Sequence, residues 1–432
     1  MAHQTGKNVL VSFKVEAATG VAVSGAGGTE FRKNSGSGLQ LTRTTINPNE
    51  VRSDGKTSMG RLGSRNVAGT LGADLSLGTF DELFQAGVRG TWSTALTVTQ
   101  ASSTLTSITT NATSIIAAAG SWLSAGLRVG DVFVMTGHST AANNSRNLRV
   151  TAVTTLTLSV LEVLVTDSVA DASFSIVRGK KLVMPTTPVR RSFTFDEYLV
   201  DIDQSKISVG CRVASIKVTG QPDGMAIVEF GVVGMGQTTA VTASSPSLTS
   251  PTLSSTIALT WLDASIKVGT ADRTNLTSFE FMFDNGAATL PVIGSSTSPD
   301  VFENNASLSG SMAGTVQDFT DLDAFLAETE FEFHALLVEP ESEPKDYISF
   351  FLPRLKRTSY DTPMGGDGAM IATAQFIGGT KGTATGYDDT MISIVTSAAV
   401  ATAQDALVSI EEGGDCSIMK FRRHPSGRPH RI

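Results

Sequence analysis

The stretch GTFDELFQAGVRGTW, residues 78–92, predicts a short amphipathic helix in a chain whose other segments are typical of strands and turns. Thr79 is placed to cap this helix, and Glu82 follows three residues later, which is the spacing of a capping box. The apolar residues repeat with helical spacing and form one face: Phe80, Leu83 and Phe84. A helix isolated among strands is a marker by which an internal repeat can be recognised.

A second helix of the same kind is predicted in TDLDAFLAETEFEF, which begins at residue 320. Thr320 and Asp323 repeat the cap, and Leu322 and Phe325 repeat the apolar face. An offset of 241 residues superposes three pairs of identical residues: Gly69 on Gly310, Thr79 on Thr320 and Phe84 on Phe325.

Two hairpin sequences also resemble each other, QPDGMAIVEF in the first half and GGDGAMIATAQF in the second. Matching Asp223 to Asp367 requires an offset of 144, so the two offsets differ by 97 residues (241 − 144). This excess is close to the length of a Thr/Ser/Val-rich region at 93–179, which has the short, regularly spaced strands of a small all-β domain. The sequence therefore predicts a duplicated strand–helix–strand–hairpin unit with a β domain inserted into the first copy. The alternative is two unrelated β domains that each carry a helix.

The predicted organisation has six segments. They are the N-terminal part of the first unit (1–92), the inserted β domain (93–179), the C-terminal part of the first unit (180–237), a linker rich in Thr, Ser and Pro (238–256), the second unit (257–400) and a C-terminal extension with a basic tail (401–432).

A basic segment at 40–66, which we call the arm, has little apolar content. Its cations outnumber Glu50 and Asp54, and Asp54-Gly55 predicts a type I′ hairpin turn. The cations are Arg43, Arg52, Lys56, Arg61 and Arg65. A hairpin with so few apolar residues does not hold itself in place, so we expect a partner to order it. The alternative is a solvated flexible loop.

The composition argues against several functional classes. The chain has 432 residues, 17% of them charged, and a net charge of −8, which is unsuited to gripping nucleic acid but compatible with a surface past which DNA slides. Cys211 and Cys416 lie far apart and are expected to be reduced thiols. The N-terminus lacks a signal-peptide core and no segment approaches the ~20 apolar residues of a membrane span, so we expect a soluble protein made in a cytoplasm.

The sequence contains no H-E-x-x-H, Cys/His metal spacing, G-x-S-x-G elbow or G-x-x-x-x-G-K-[ST] loop. His334, in FEFHALLV, alternates with phenylalanines and is expected to face solvent. The acidic run from Glu328 to Glu343 matches no calcium loop and is expected to be a solvated or interface-facing edge. We therefore predict no enzyme and no cofactor. A self-assembling structural subunit suits this composition better.

The segment VRSDGKTSMGRLGSRNVAGTLGADLSLGTFDELFQAGVRGTW, residues 51–92, resembles the signature of the major tail tube proteins of long-tailed, siphovirus-type bacteriophages. In that family R-S-D precedes a V-x-G strand, and L-S-x-G-T-F-D-x-L leads into a helix that ends near R-G-T-W. GLRVGDVFVMTG with NNSRNLRVTAV is similar to the family's small β domain, and GGDGAMIATAQFIG to its late hairpin. The resemblance touches most of residues 1–400 and is specific at 51–92.

The resemblance implies a β-sandwich-like or barrel-like tube unit with a flanking short helix that packs between neighbours. Copies would join side by side into rings, and the rings would stack into the hollow tube that conducts DNA into the host. A long loop would reach the adjacent ring, a role that suits the arm, with the acidic run at 328–343 as one candidate receiving surface. The implied location is the virion tail, assembled in the bacterial cytoplasm.

The implied partners are other copies of the chain, the tape measure, tail terminator and baseplate proteins, and double-stranded DNA that passes without sticking; no membrane insertion is expected. If each chain holds two units, three chains would complete a pseudo-sixfold ring, with the inserted domain projecting outward. A true hexamer is the alternative for the ring. For the function, the alternatives are a carbohydrate-binding or adhesion protein, although three Trp and four Tyr leave few stacking platforms, and a tail completion or baseplate protein.

Overall fold

The structure is a computed structural model that describes residues 3–240, 245–269, 271–340, 345–363, 368–382 and 386–397. Several residues used in the sequence predictions lie outside the described residues: Asp367, Cys416, Glu341, Glu343 and the whole C-terminal extension at 401–432. The described chain is mainly β, with two short helices, α1 (Asp81–Val88) and α2 (Thr320–Leu326).

The strands are numbered along the chain. Seventeen of them form one connected network: β1 (Val9–Val15), β3 (Thr29–Glu30), β4 (Gly38–Ile46), β5 (Arg61–Asp74), β14 (Lys180–Val183), β15 (Phe193–Leu199), β16 (Gln204–Gly220), β17 (Ile227–Gly234), β18 (Gly236–Ala240), β20 (Ala264–Val268), β21 (Ala271–Asp272), β22 (Leu276–Asp284), β25 (Ser307–Thr315), β26 (Glu330–Val338), β27 (Tyr347–Asp361), β28 (Ile371–Gly378) and β29 (Ser393–Thr396).

Eight further strands form a separate antiparallel sheet: β6 (Leu96–Thr99), β7 (Ile108–Asn111), β8 (Ser114–Ala117), β9 (Val132–Thr136), β10 (Asn147–Val153), β11 (Thr157–Val160), β12 (Asp167–Asp171) and β13 (Ser175–Arg178). Two short pairs complete the described strands: β2 (Gly25–Ala26) with β19 (Leu248–Thr249), and β23 (Ala288–Thr289) with β24 (Val301–Phe302).

Within the large network, two groups of seven strands follow the same order. The first group runs β3-β1-β15-β16-β17-β5-β4, and the second runs β21-β20-β26-β27-β28-β25-β22. Every one of these pairings is antiparallel. In each group the helix follows the strand that occupies the sixth place, β5 or β25.

The two groups also share their registers and their irregularities. Gly69 of β5 pairs with Val232, and Gly310 of β25 pairs with Phe376, which reproduces the offsets of 241 and 144. The register shifts also lie at corresponding positions. The shift between Val213 and Ser215 in β16 matches the one between Arg357 and Ser359 in β27. The shift between Phe193 and Phe195 in β15 matches the one between Phe331 and Phe333 in β26. A β-bulge is a specific local device, so two bulges at matching places are stronger evidence of kinship than strand order alone.

The helix caps differ from the prediction. The N-cap residues are Phe80 and Phe319, and neither helix has a side-chain capping hydrogen bond. Thr79 lies one residue before its N-cap and bonds to the hydroxyls of Ser76 (2.7 Å) and Ser254 (2.8 Å), whereas Thr320 is the first residue of α2. The helices therefore begin 239 residues apart, and the two phenylalanines, rather than the two threonines, occupy equivalent positions.

One hydrophobic core serves both groups. The ring of Phe84 in α1 lies 5.4 Å from that of Phe230 in β17 and 6.0 Å from that of Phe350 in β27. Phe350 in turn lies 5.6 Å from Phe281 in β22. Because side chains of both groups meet on α1, neither group encloses its core alone.

The separate eight-stranded sheet has its own core around the fully buried Trp122, whose indole N–H donates to the Leu156 carbonyl (3.0 Å). The sheet packs on the second group, where the Tyr347 hydroxyl donates to the Val132 carbonyl (2.7 Å). Beside this contact, the fully buried Asp131 pairs with Arg178 (3.3 Å) and with Lys181.

His334 lies beneath this sheet, so the prediction that it faces solvent is wrong. Its side chain does point away from the neighbouring phenylalanines, but that face is covered and the residue is 1% exposed. Its ring meets that of Phe351 (5.4 Å), and neither ring nitrogen has a hydrogen-bond partner. Burial, with the charges of Arg149 and Lys267, lowers the pKa of His334 well below its ordinary value.

Candidate assembly interface

Among the described strands, the two groups pair with each other at one place, which we call the seam. The C-terminal half of β16 pairs with β22, from Ser215 opposite Asp284 to Gly220 opposite Phe279. Helix α1 packs on both strands of this pair. A Cβ atom at Gly87 would lie 2.4 Å from the side chain of Ile216, so this glycine allows the helix to approach the seam closely.

The loop between β22 and β25 closes over the seam from the other side. Asn285 donates from its side chain to the Gly87 carbonyl (2.6 Å), and Arg89 donates to the Asn304 carbonyl (3.1 Å). The buried Arg212 of β16 pairs with Asp300 of the loop (2.9 Å). Strand pairing, helix contact and a buried ion pair thus all connect the second group to the first.

The counterpart of β22 in the first group is β4, and it has a free edge. Among the described strands β4 pairs with β5 alone. The Leu39 amide points away from β5 and donates to the buried carboxylate of Glu197 (2.7 Å). The counterpart of Leu41 in β22 is Phe283, because each lies two residues after the partner of the equivalent glycine, Gly69 or Gly310. Leu41 is 40% exposed, whereas Phe283 is fully buried beside β16.

A groove of about 800 Å³ runs along this edge, between β4 and the pair β1–β15. Its walls carry apolar and cationic side chains together: Lys7, Val9, Val11, Leu199 and Lys206.

Helix α2 is also uncovered, in contrast to α1. Phe319 and Leu326 are 62% and 69% exposed, and Leu322 and Phe325 are half-buried. The helix is held to β27 by Asp321, which pairs with Arg357 (2.6 Å) and with Arg273 (2.9 Å). In α1, by comparison, Phe80, Leu83 and Phe84 are 0–1% exposed.

The arm is a hairpin of β4 and β5, paired as far as Ile46 opposite Arg61, and its side chains from 40 to 57 are exposed. The turn closes with a hydrogen bond from the Gly55 amide to the Arg52 carbonyl (3.2 Å), one residue earlier than the predicted type I′ turn. Arg52 forms an ion pair with Asp54 (2.8 Å), and Arg43 donates to the Gly63 carbonyl (3.2 Å). Lys56, Arg61 and Arg65 form no ion pair within the described residues.

Eight strands from both groups form a continuous run, β4-β5-β17-β16-β22-β25-β28-β27, with one face on the core. Because side chains alternate along a strand, the opposite face is defined by the intervening residues. Many of these are small, polar and at least partly exposed: Gln40, Thr42, Thr70, Ser215, Thr219, Ser309, Ser311, Thr373 and Gln375. Exposed apolar residues lie among them: Ile227, Met282, Ile371 and Ile377. The acidic residues on this face include Asp74, Glu229, Glu280, Asp284 and Asp361. Its lysines are Lys217, paired with Glu280 (3.1 Å), and Lys356, paired with Glu328.

Sequence reasoning found the helices and the arm but not the residues that close the seam. Gly87, Arg212, Asn285 and Asp300 are distant in sequence and follow no motif. The prediction that both helices pack between subunits stays a prediction, since α1 is buried within the chain and only α2 presents an uncovered surface.

No group of three or more potential metal ligands occurs among the described residues, and none of the helices described is long and apolar enough to cross a membrane. Cys211 is buried and unpaired, and burial raises the pKa of its thiol well above the ordinary value.

Residues 6–378 match the family model described as phage tail tube protein. A comparison with curated proteins finds no match. The family is a non-enzymatic one whose role is to build the tail of the virion. The chain therefore belongs to the phage tail tube protein family.

Proposed function

We propose that this chain is the tube subunit of a siphovirus-type phage, and that its two seven-strand groups are duplicated tube units. The observation that carries the proposal is the pair of bulges at matching positions in groups of identical strand order. The units have the predicted boundaries, 1–92 with 180–237 and 257–400, joined by the linker at 238–256. The separate sheet then represents the domain inserted at 93–179.

Three chains complete a ring in this proposal. Each chain contributes one seam of its own, and a ring of six units needs six seams, so three seams form between chains. Closure also removes the free edge of β4, which would otherwise be a site of uncontrolled strand pairing. The alternative is a ring of six chains.

The polar face of the eight-strand run is our candidate for the wall of the bore. It offers hydroxyl and amide groups, several carboxylates and two lysines that are already paired with Glu280 and Glu328, which gives DNA phosphates little to bind. The separate sheet of β6 to β13 packs instead on the second group around His334 and Tyr347, away from this face, and this position favours its outward projection.

We assign the arm to contacts with the next ring. Its free cations suit an acidic surface, and Glu328 and Glu330 are candidates, although each already pairs with a basic residue of its own chain, Lys356 and Arg354. The tape measure protein would occupy the bore during assembly in the host cytoplasm, and the terminator and baseplate proteins would bind the two ends of the tube. No cofactor is required.

The arm is tested by replacing Arg52 and Arg61 together with glutamate, with Arg146→Glu, just before β10, as a control. We expect the double variant to stay folded but to form no tubes, because the charges of the arm are reversed, while the control polymerises normally. Tubes of unchanged length from the double variant would remove the arm from the assembly mechanism.

The tube itself is tested by negative-stain electron microscopy of the purified protein. We expect hollow tubes whose rings carry three outward protrusions, one for each inserted domain, around a bore of sixfold appearance. Six protrusions would indicate a ring of six chains. Protein that stays monomeric under all conditions and binds glycans would support the adhesion alternative instead.

A further inference from the structure

We propose that the contact between neighbouring chains copies the seam within the chain, residue for residue. In this contact, β4 of one chain adds to the C-terminal half of β27 in its neighbour, and α2 of that neighbour is covered. The proposal rests on the ring described above and identifies the surfaces that close it.

The register follows from the offsets between the two groups. The offset of 144 carries Ser215 and Lys217 of β16 to Ser359 and Asp361 of β27. The offset between β4 and β22 is 242, because Leu39 pairs with Gly69 and Phe281 pairs with the equivalent Gly310. This offset makes Thr42 the counterpart of Asp284 and Gln40 the counterpart of Met282. The pairs observed within the chain are Ser215 with Asp284 and Lys217 with Met282. The pairs inferred between chains are Ser359 with Thr42 and Asp361 with Gln40.

Both edges are open among the described strands. Beyond Lys356, β27 pairs with β28 on one side and with no strand on the other, because the pairing with β26 ends at Glu330. On β4, the amide of Leu39 points to the free edge, and by the alternation of an antiparallel strand so does that of Leu41. Because the Leu39 amide is already bonded to Glu197, the donor that remains for an incoming strand is the amide of Leu41.

The side chains at these edges are those that a neighbour would cover. Leu41 is exposed, while its counterpart Phe283 is buried beside β16 at the seam. Phe319 is exposed as well, whereas Phe80 is buried against Phe31 and Phe230 of its own group. Helix α1 packs on both β16 and β22, whereas α2 packs on β27 and lacks the second strand. A neighbouring β4 would supply that strand.

The groove beside β4 agrees with this occupant. In the second group, the corresponding space next to β22 is bordered by Ile266 and Trp261 and receives the turn that ends β16, at Gly220 to Asp223. In the first group, Val11 occupies the position that corresponds to Ile266. Val11 lies two residues before Phe13, the partner of Phe195, and Ile266 lies two residues before Val268, the partner of Phe333. The groove would receive the end of the neighbour's β27, around Thr362.

The test uses disulfides formed in assembled tubes, in a background with Cys416→Ser. Residues directly opposite on antiparallel strands have Cα atoms ~4.5–5.5 Å apart, within disulfide reach, whereas diagonal positions are ~7–8 Å apart. Gln40→Cys with Asp361→Cys is the matched pair, and Gln40→Cys with Ser359→Cys is the diagonal control. Tubes are assembled with reductant, oxidised, and run on a non-reducing gel.

We expect the matched pair to form cross-links between chains at least about five times more completely than the control, in a ladder that ends at three chains. Equal or reversed cross-linking in intact tubes would overturn the register and leave the tube function standing. A wild-type protein that forms no tubes would overturn the function instead, and a ladder reaching six would contradict the three-chain ring alone. If the cysteine variants do not assemble, a cryo-EM map of wild-type tubes decides, since any strand other than β27 beside β4 would refute the proposal.

Discussion

The seam and the free edge of this protein are built from corresponding elements but differ in burial. Phe283 at the seam is 0% exposed and Leu41 at the free edge is 40% exposed, while Phe80 before α1 is 1% exposed and Phe319 before α2 is 62% exposed. Within the described chain, Leu41 lacks the strand that β16 supplies beside Phe283. At the helix starts the sequence differs as well, because Phe80 packs on Phe31 and Phe230 of its own group, whereas the corresponding positions in the second group hold Arg273 and Ala374. Burial of the Leu41 position therefore depends on the next unit, whereas burial at the helix start also depends on the residues of each unit itself.

The largest effect is expected at the helix starts. Phe80→Ala should destabilise the unassembled chain by about 3–5 kcal/mol, because Phe80 fills the core against Phe31 and Phe230. Phe319→Ala should change the free energy of unfolding by less than about 0.5 kcal/mol, because that ring is largely in solvent. Urea denaturation of both variants measures the difference, and equal losses would contradict the comparison.

A similar contrast is expected between the cations Arg212 and Lys356, which lie 144 residues apart at matching positions. Arg212→Ala leaves the carboxylates of Asp300 and Glu303 without their buried partner and should cost about 3 kcal/mol. Lys356→Ala removes an exposed pair with Glu328 and should cost about 0–1 kcal/mol. The midpoints of urea unfolding compare the two, and a larger loss for Lys356→Ala would show that the matching is wrong.

A substitution at His334 tests whether the separate sheet of β6 to β13 buries this side of the second group. Because its pKa is lowered on folding, the unfolded chain binds the proton more readily, so this residue makes stability fall as the pH drops below its ordinary value of about 6.5. His334→Leu should flatten that part of the stability profile between about pH 7 and pH 5. Urea unfolding at several pH values measures the slope, and an unchanged slope would mean that His334 is not the titrating group.

The smallest effect on the folded chain is expected from Leu41→Pro. The amide that proline removes faces the free edge, so pairing with β5 should persist and stability should change by about 1 kcal/mol or less. Tube formation should nevertheless be lost, because the edge can no longer accept a strand. Leu41→Val keeps the amide and should polymerise, and electron microscopy of the two variants distinguishes these outcomes.

Much of the fold could be predicted because its signals are local. The 3.6-residue spacing around Phe84 and Phe325 revealed both helices, and the hairpin of β16 and β17 followed from alternation around an Asp-Gly turn. The capping predictions were wrong because the Thr79 hydroxyl bonds to Ser76 and Ser254, the latter from a distant segment. The exposure of His334 was mispredicted for a related reason, since alternation specifies the face of a strand but not what covers it.

The sequence by itself determined the helices, the strands and the offsets that relate the two halves, since these depend on spacing along one chain. Only the tertiary structure decided which of the two equivalent strands, β22 or β4, is buried by a neighbouring strand. That depends on pairs such as Arg212 with Asp300 and Gly87 with Ile216, whose partners are far apart in sequence and obey no periodicity. Strand alternation can indicate an apolar face, but the strand that buries it comes from elsewhere in the fold.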